Sequence, residues 1–273
     1  MTKKSFKWSN LYLILIFALL YIPIFYLIYY SFNAGGSMTS FTGFTLDNYK
    51  AVFEDTRLIG IVLDTFLLAF LSALIATTIG TFGAMGIHYT KSRGMRNTIL
   101  SLNNVLMVSP DVIIGASFLI LFTSLGTWFG FKLGFMSVLL SHIAFSIPIV
   151  VLMVLPKMQE MNTSLIDAAR DLGASNLQVL QKVILPYITP GIIAGYFMAF
   201  TYSLDDFAVT FFVTGNGFST LSVEIYSRAR QGVSLEINAL STLLFLFSLI
   251  LVLGYYFISK DNVPKKQRKK GTV

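Results

Sequence analysis

Apolar positions along the chain gather into six long runs separated by short polar stretches: Leu11–Phe32, Ile59–Ile87, Thr98–Leu125, Leu133–Leu155, Pro190–Thr214 and Asn238–Ile258. A helix needs roughly 20 mainly apolar residues to cross a hydrocarbon core of about 30 Å. The pattern therefore predicts an all-α membrane protein with six transmembrane helices. Pro23 interrupts the first run, and Ser109-Pro110-Asp111 breaks the third. The first run is long and lacks a clear small-residue cleavage site, so it is expected to stay as an anchor. The organisation is a short N-terminus (1–10), a six-helix domain (11–258) and a basic tail (259–273).

Composition supports this reading. Of 273 residues, 55% are hydrophobic and only 12% charged. A soluble domain of this size needs more charge to cover its surface. The absence of cysteine excludes disulfides, thiolate metal sites and a cysteine nucleophile. A net charge of +7 would point to nucleic acid in a soluble protein, but here the basic residues flank apolar runs. Lys3, Lys4, Lys7, Lys91, Arg93, Arg96, Lys157, Arg170, Lys182, Lys260, Lys265, Lys266, Arg268, Lys269 and Lys270 fall on one side. Only Lys50, Arg57, Lys132, Arg228 and Arg230 fall on the other. The positive-inside rule puts both termini in the cytoplasm. The Lys265–Lys270 tail reads as a stop-transfer and anionic-lipid contact rather than a nucleic-acid site.

Ser72, Ala76, Gly80 and Ala84 recur every four positions, with Gly83 and Gly86 near the cytoplasmic end. Membrane helices pack through such small residues, so this face is expected to meet another helix.

About thirty residues separate the fourth and fifth runs, and long ordered loops tend to be functional. Here Ser164-x-x-Asp167 resembles a capping box, and Gly173 is a helix stop. Ser175 with Gln178 caps a second helix, which Pro186 is expected to end. Leu177, Leu180, Val183 and Ile184 form an apolar stripe at helical spacing. Helices this short are marginal alone and need a surface to pack on, either the protein's own bundle or a partner.

The spacing of Asp167-Ala168-Ala169, Gly173, Val183 and Leu185-Pro186 resembles the EAA loop of ABC-importer permeases. The family pattern is Glu-Ala-Ala, three residues, Gly, nine residues, Ile, one residue, Leu-Pro. Asp167 stands where the family has Glu, and Val183 where it has Ile. The resemblance implies a type I (MetI-like) importer permease in a bacterial inner membrane, with residues 158–189 coupling to a separate ATPase that binds ATP and Mg²⁺. It also implies a second permease subunit, a dimer of ATP-binding subunits and an external substrate-binding protein. Met107-Val-Ser-Pro-Asp111, Tyr202-Ser-Leu-Asp-Asp-Phe207 and Thr220-Leu-Ser-Val-Glu-Ile225 are similar to the second permease subunit of spermidine/putrescine importers. Permeases for iron, thiamine or phosphonate-type solutes share parts of these segments.

Carboxylates at membrane depth cost about 2.5–3.5 kcal/mol each on insertion scales, so each invites a functional reading. Asp205 and Asp206 follow Pro190 by about 22 Å of helix, and Asp111 lies at similar depth. Adjacent residues point about 100° apart on a helix, so only one of Asp205 and Asp206 can face a central path squarely. Asp111, Asp205, Asp206 and Tyr202 are candidates to line a path for a cationic solute; the alternative is that the acids cap kinks or pair with Arg57, Arg228 or Arg230. Asp64 reads as interfacial. Tyr202, Phe207, Phe211 and Phe212 offer cation–π surfaces or form an interfacial belt. His88 and His142 read as packing or interhelical hydrogen bonds rather than metal ligands.

The chain has no G-x-x-x-x-G-K-[ST] phosphate loop, no G-x-S-x-G elbow and no H-E-x-x-H helix. No catalytic residue, bound cofactor or metal is expected, and ATP would have to act through a partner. A self-sufficient secondary transporter using the intramembrane acids is the other class open to this sequence, although no internal repeat supports it.

Overall fold

A computed structural model describes residues 8–232 and 234–261. Lys3, Lys4, Lys7 and the Lys265–Lys270 tail lie outside the described residues. The described elements are helical, apart from a single antiparallel bridge between Asn33 and Phe44. In chain order they are α1 (Trp8–Ser31), α2 (Asp47–Glu54), α3 (Thr56–Tyr89), α4 (Arg93–Val108), α5 (Asp111–Phe129), α6 (Phe135–Glu160), α7 (Ser164–Asp171) and α8 (Asn176–Val179). A π-helical turn (Leu180–Ile184) leads into α9 (Leu185–Asp205), followed by α10 (Ala208–Val213), α11 (Leu221–Gln231) and α12 (Leu235–Asp261). Five segments are long and apolar enough to cross a membrane: Leu11–Ser31, Thr56–Tyr89, Asp111–Phe129, Phe135–Glu160 and Asn176–Asp205. Helix α12 covers the sixth expected span.

Two of the expected spans are not continuous helices. The third divides at Ser109-Pro110, both extended, into α4 and α5. The fifth starts earlier than Pro190, which lies inside α9, and it does not run unbroken to Thr214. It breaks after Asp205, where Asp206 is extended (φ −61°, ψ 126°).

The chain forms two compact units, 1–59 with 225–273, and 60–224. In the first, α12 packs on α1 and α2. Buried Asn33 organises the following loop by donating to the Ser37 and Ser40 carbonyls (2.8 Å each) and accepting from the Thr42 N–H (2.8 Å). Arg228 donates to Asp55 at 2.7 Å and to Glu236 at 3.4 Å. That guanidinium holds the Asp55 carboxyl below the usual carboxylate range. Asp55 also caps α3 by accepting from the Leu58 N–H.

In the second unit α6 is the spine. Its buried residues divide between two apolar clusters, one with Met85, Val150, Val154, Met158, Ile184 and Ile188, the other with Leu68, Ile114, Phe122, Val138, Val209 and Val213. Small residues let neighbouring helices approach it. A Cβ at Gly80 of α3 would stand 2.7 Å from Val150 Cβ, and one at Gly195 of α9 would stand 3.2 Å from Val150 Cγ1. The Ser72, Ala76, Gly80 and Ala84 stripe is buried as expected. Gly86 does not extend it, because that glycine is exposed with nothing within 4 Å of a Cβ.

Gly80→Val should therefore force the α3–α6 contact apart, at about 1–3 kcal/mol for overpacking. A lower melting temperature of the purified protein in detergent is expected, whereas Gly86→Ala should leave it unchanged.

Candidate functional site

The breaks in the third and fifth spans lie side by side. Gly115, one turn into α5, admits the backbone of α10: a Cβ there would stand 3.0 Å from Val209 Cα and 3.1 Å from the Ala208 oxygen. The first turn of α5 thus meets the start of α10, just beyond the end of α9. Asp111 opens α5, and its Oδ1 accepts from the Tyr202 hydroxyl of α9 at 3.0 Å. Tyr202 packs edge-on against Phe145 of α6, ring centroids 4.9 Å apart. Asp205 follows Tyr202 by three residues at the end of α9, so the two share one side of that helix end. Proximity along the helix axes is thus also lateral proximity, which spacing alone could not show.

The two adjacent acids differ in environment. Asp206 turns inward with its side chain 6% exposed. Its Oδ1 accepts from the Val209 N–H (3.3 Å) and its Oδ2 from the Thr210 N–H (2.8 Å) and hydroxyl (2.7 Å). The carboxylate thus takes up the orphan N–H groups of the first turn of α10, which explains the break: a capping acid replaces the helical ladder. Asp205 is exposed, and among the described residues no hydrogen bond or ion pair engages its carboxylate; only its backbone oxygen accepts, from Ser222. Asp64 is also exposed.

His142, fully buried on α6, links these pieces. Its Nδ1 lies 2.6 Å from Ser203 Oγ on α9 and its Nε2 2.8 Å from Thr210 Oγ1 on α10. Ser72 of α3 donates to Ser203 at 2.8 Å. Counting protons assigns the direction of the chain. Thr210 spends its one hydroxyl proton on Asp206, so it accepts from His142 Nε2–H, and on a neutral ring Nδ1 accepts from Ser203. On that assignment the bonds run from Ser72, whose hydroxyl also lies 3.1 Å from the Ala69 oxygen, toward Asp206. His142 lies about 10 Å along α6 from Phe135, at 1.5 Å per residue, flanked on α6 by Leu139 and Phe145 of the second apolar cluster.

The 161–175 loop is the second feature. The Asn162 side chain, rather than Ser164, accepts from the Ser164 N–H at 3.0 Å and opens α7. Gly173 (φ +82°) closes it, with Ala174 N–H donating back to the Ala169 oxygen. Ser175 and Gln178 form the expected capping box. Pro186 does not end the second helix. The chain passes through the π turn into α9, the wider turn accommodating a residue that has no N–H to give. Ile166, Val179 and Ile184 are buried against the bundle, with Ala169, Val183 and Leu185 packed beside them. Leu177 leaves the expected stripe and is exposed, as are Leu165, Asp167, Ala168, Pro186 and Leu172, the last at 89%. Val183 and Leu185 therefore anchor the loop, while Asp167 and Ala168 lie on its open face.

Residues 76–268 match the family described as binding-protein-dependent transport system inner membrane component. The chain belongs to that family. It is 38% identical over 247 residues to the spermidine/putrescine transport system permease protein PotC of Escherichia coli (strain K12), covering 90% of this chain and 92% of the relative. It is 35% identical over 240 residues to the putrescine transport system permease protein PotI of the same strain, covering 87% and 85%. Among solved structures, a bacterial ABC transporter involved in import of the acidic polysaccharide alginate superposes with TM-score 0.72 at 18% identity, over 94% of this chain and 96% of that one. The MetNI methionine ABC transporter gives 0.60 at 20% identity, over 74% and 95%. These likenesses establish the fold as that of ABC-importer permeases, and members of this inner-membrane family are transport components rather than enzymes.

Within that family frame, spacing pointed to Asp111, Tyr202, Asp205 and Asp206, and the reading of His142 as an interhelical hydrogen-bonding residue holds; its partners Ser203 and Thr210 were not named. One signal was available: Asp206 precedes Thr210 by four residues in an apolar run, a capping arrangement. The histidine's partners lie 61 and 68 residues away, beyond the reach of local patterning.

Gly173→Ala meets no steric obstacle, yet places a Cβ on a left-handed residue at about 1–2 kcal/mol. Faster limited proteolysis within residues 161–175 is expected, with the transmembrane fragments unaffected.

Proposed function

We propose that this chain is one permease subunit of an ATP-driven importer of polyamines, spermidine and putrescine. It works in the cell membrane, with both termini in the cytoplasm, beside a second permease subunit. A dimer of ATP-binding subunits and an external substrate-binding protein complete the assembly. The observation that carries the reading is the meeting of Asp111, Asp205 and Tyr202 at two broken helix ends, in a chain similar over nine-tenths of its length to polyamine permeases.

The chemistry fits the solute. Irregular backbone at membrane depth is tolerated only where it is buried in protein or lines a cavity. A polyamine presents ammonium groups, with three donors on each primary and two on each secondary nitrogen, separated by methylene chains. Exposed Asp205 and the Tyr202–Asp111 pair offer acceptors and negative potential, and Tyr202, Phe207 and Phe211 offer faces for cations and methylenes. Asp206 is taken up in capping α10, so the solute-facing role falls to Asp205.

The 158–189 loop presents Leu165, Leu172 and Leu177 with Asp167 and Ala168 on its open side, a surface suited to a cleft in the ATPase. ATP and Mg²⁺ bind that partner, and its closure reaches the bundle through the anchored face containing Val183 and Leu185. Family membership disfavours the self-sufficient carrier.

In the reconstituted complex, Asp205→Asn and Asp111→Asn should each lower kcat/KM for ATP-driven putrescine uptake about ten-fold, the worth of one charge-assisted contact. The yield of assembled complex should not change. Unaltered uptake in both variants contradicts the path.

A further inference from the structure

We infer that His142 is a positioning residue for solute passage: by bridging Ser203 on α9 to Thr210 on α10, it fixes the intervening break so that Asp206 is buried and Asp205 is presented beside the Tyr202–Asp111 pair. The inference rests on the path reading above and deepens it.

No helical ladder holds the corner at Asp206, whose backbone is extended. Side chains from α6 hold it instead. His142 grips the last turn of α9 at 2.6 Å and the first turn of α10 at 2.8 Å. Ser137, five residues earlier on α6, donates to the Val213 oxygen at the far end of α10 at 2.7 Å. Thus α10 is suspended from α6 at both ends, and of these two residues His142 also grips α9. Consecutive helical residues point about 100° apart, so exchanging Asp205 and Asp206 would take a rotation of about that size, and a smaller one already turns Asp205 away from its place. The His142–Ser203 bond sets that rotation, because Ser203 lies only two residues before Asp205. Without the imidazole, the buried Ser203 and Thr210 hydroxyls lose a partner and the corner loses its register. Asp205 would then sit out of place while remaining intact.

A double-mutant cycle in the reconstituted, ATP-loaded complex tests this through kcat/KM for putrescine uptake. His142→Ala should reduce it about ten-fold when Asp205 is present and less than about two-fold in the Asp205→Asn background, since a residue acting through another is not additive with it. Ser203→Ala and Thr210→Val remove one hydroxyl each at nearly constant volume. They carry the same cycle if His142→Ala assembles poorly, and Thr210→Ser should restore uptake where Thr210→Val does not. Equal reductions in both backgrounds would mark a purely structural histidine and overturn the positioning role while leaving the path intact. An Asp205→Asn variant with normal uptake would remove Asp205 from the path and overturn the positioning role with it.

Discussion

The structure depends on the Asp206 carboxylate and the backbone N–H groups it satisfies. A chain that breaks a helix inside a bilayer exposes donors that lipid cannot satisfy, each costing several kcal/mol. Asp206 takes two of them at Val209 and Thr210 and so makes the α9–α10 corner tenable. The acid in turn needs donors of its own, which a row of hydroxyls and one imidazole supply from α3, α6, α9 and α10. A half-satisfied row would be worse than an apolar core. That is why the row runs unbroken from Ser72 to Asp206.

Such a row is possible only because the helices around it pack tightly. Lipid gives no hydrophobic drive for helix association, so contact must come from close backbone approach. Gly80, Gly195 and Gly115 provide it at three separate interfaces. Val150 receives the first two, and α10 the third. Together they place α3, α5, α9 and α10 where side chains as short as serine and threonine can reach one another. Packing and polar chemistry are therefore one design rather than two.

Much of this was legible in the chain. The helices, the small-residue face, the Gly173 stop and the Ser175 box are local signals, and local signals carry through. The break at Asp206 was not read because its cause is a side chain turning back on the next turn, with apolar residues resuming directly after the two acids. Pro186 misled for the opposite reason: proline normally stops a helix, but a π turn ahead of it absorbs the missing donor. Of the site, the acids were visible because charge in a membrane is conspicuous. Their division of labour was not, because it depends on His142, about sixty residues away in sequence and in contact only through the fold.

A burial difference between neighbouring carboxylates thus becomes a functional difference. One acid holds the backbone and the other stays exposed; in the proposed importer the second meets the cation, and the anchored loop is the surface proposed for the ATPase. The most direct measurement is uptake of labelled spermidine and putrescine by liposomes containing the complete complex and its binding protein, with and without ATP on the ATPase side. Accumulation of both polyamines that requires ATP is expected. Uptake by the lone chain driven by a proton gradient, or ATP-driven uptake that excludes polyamines, would contradict it.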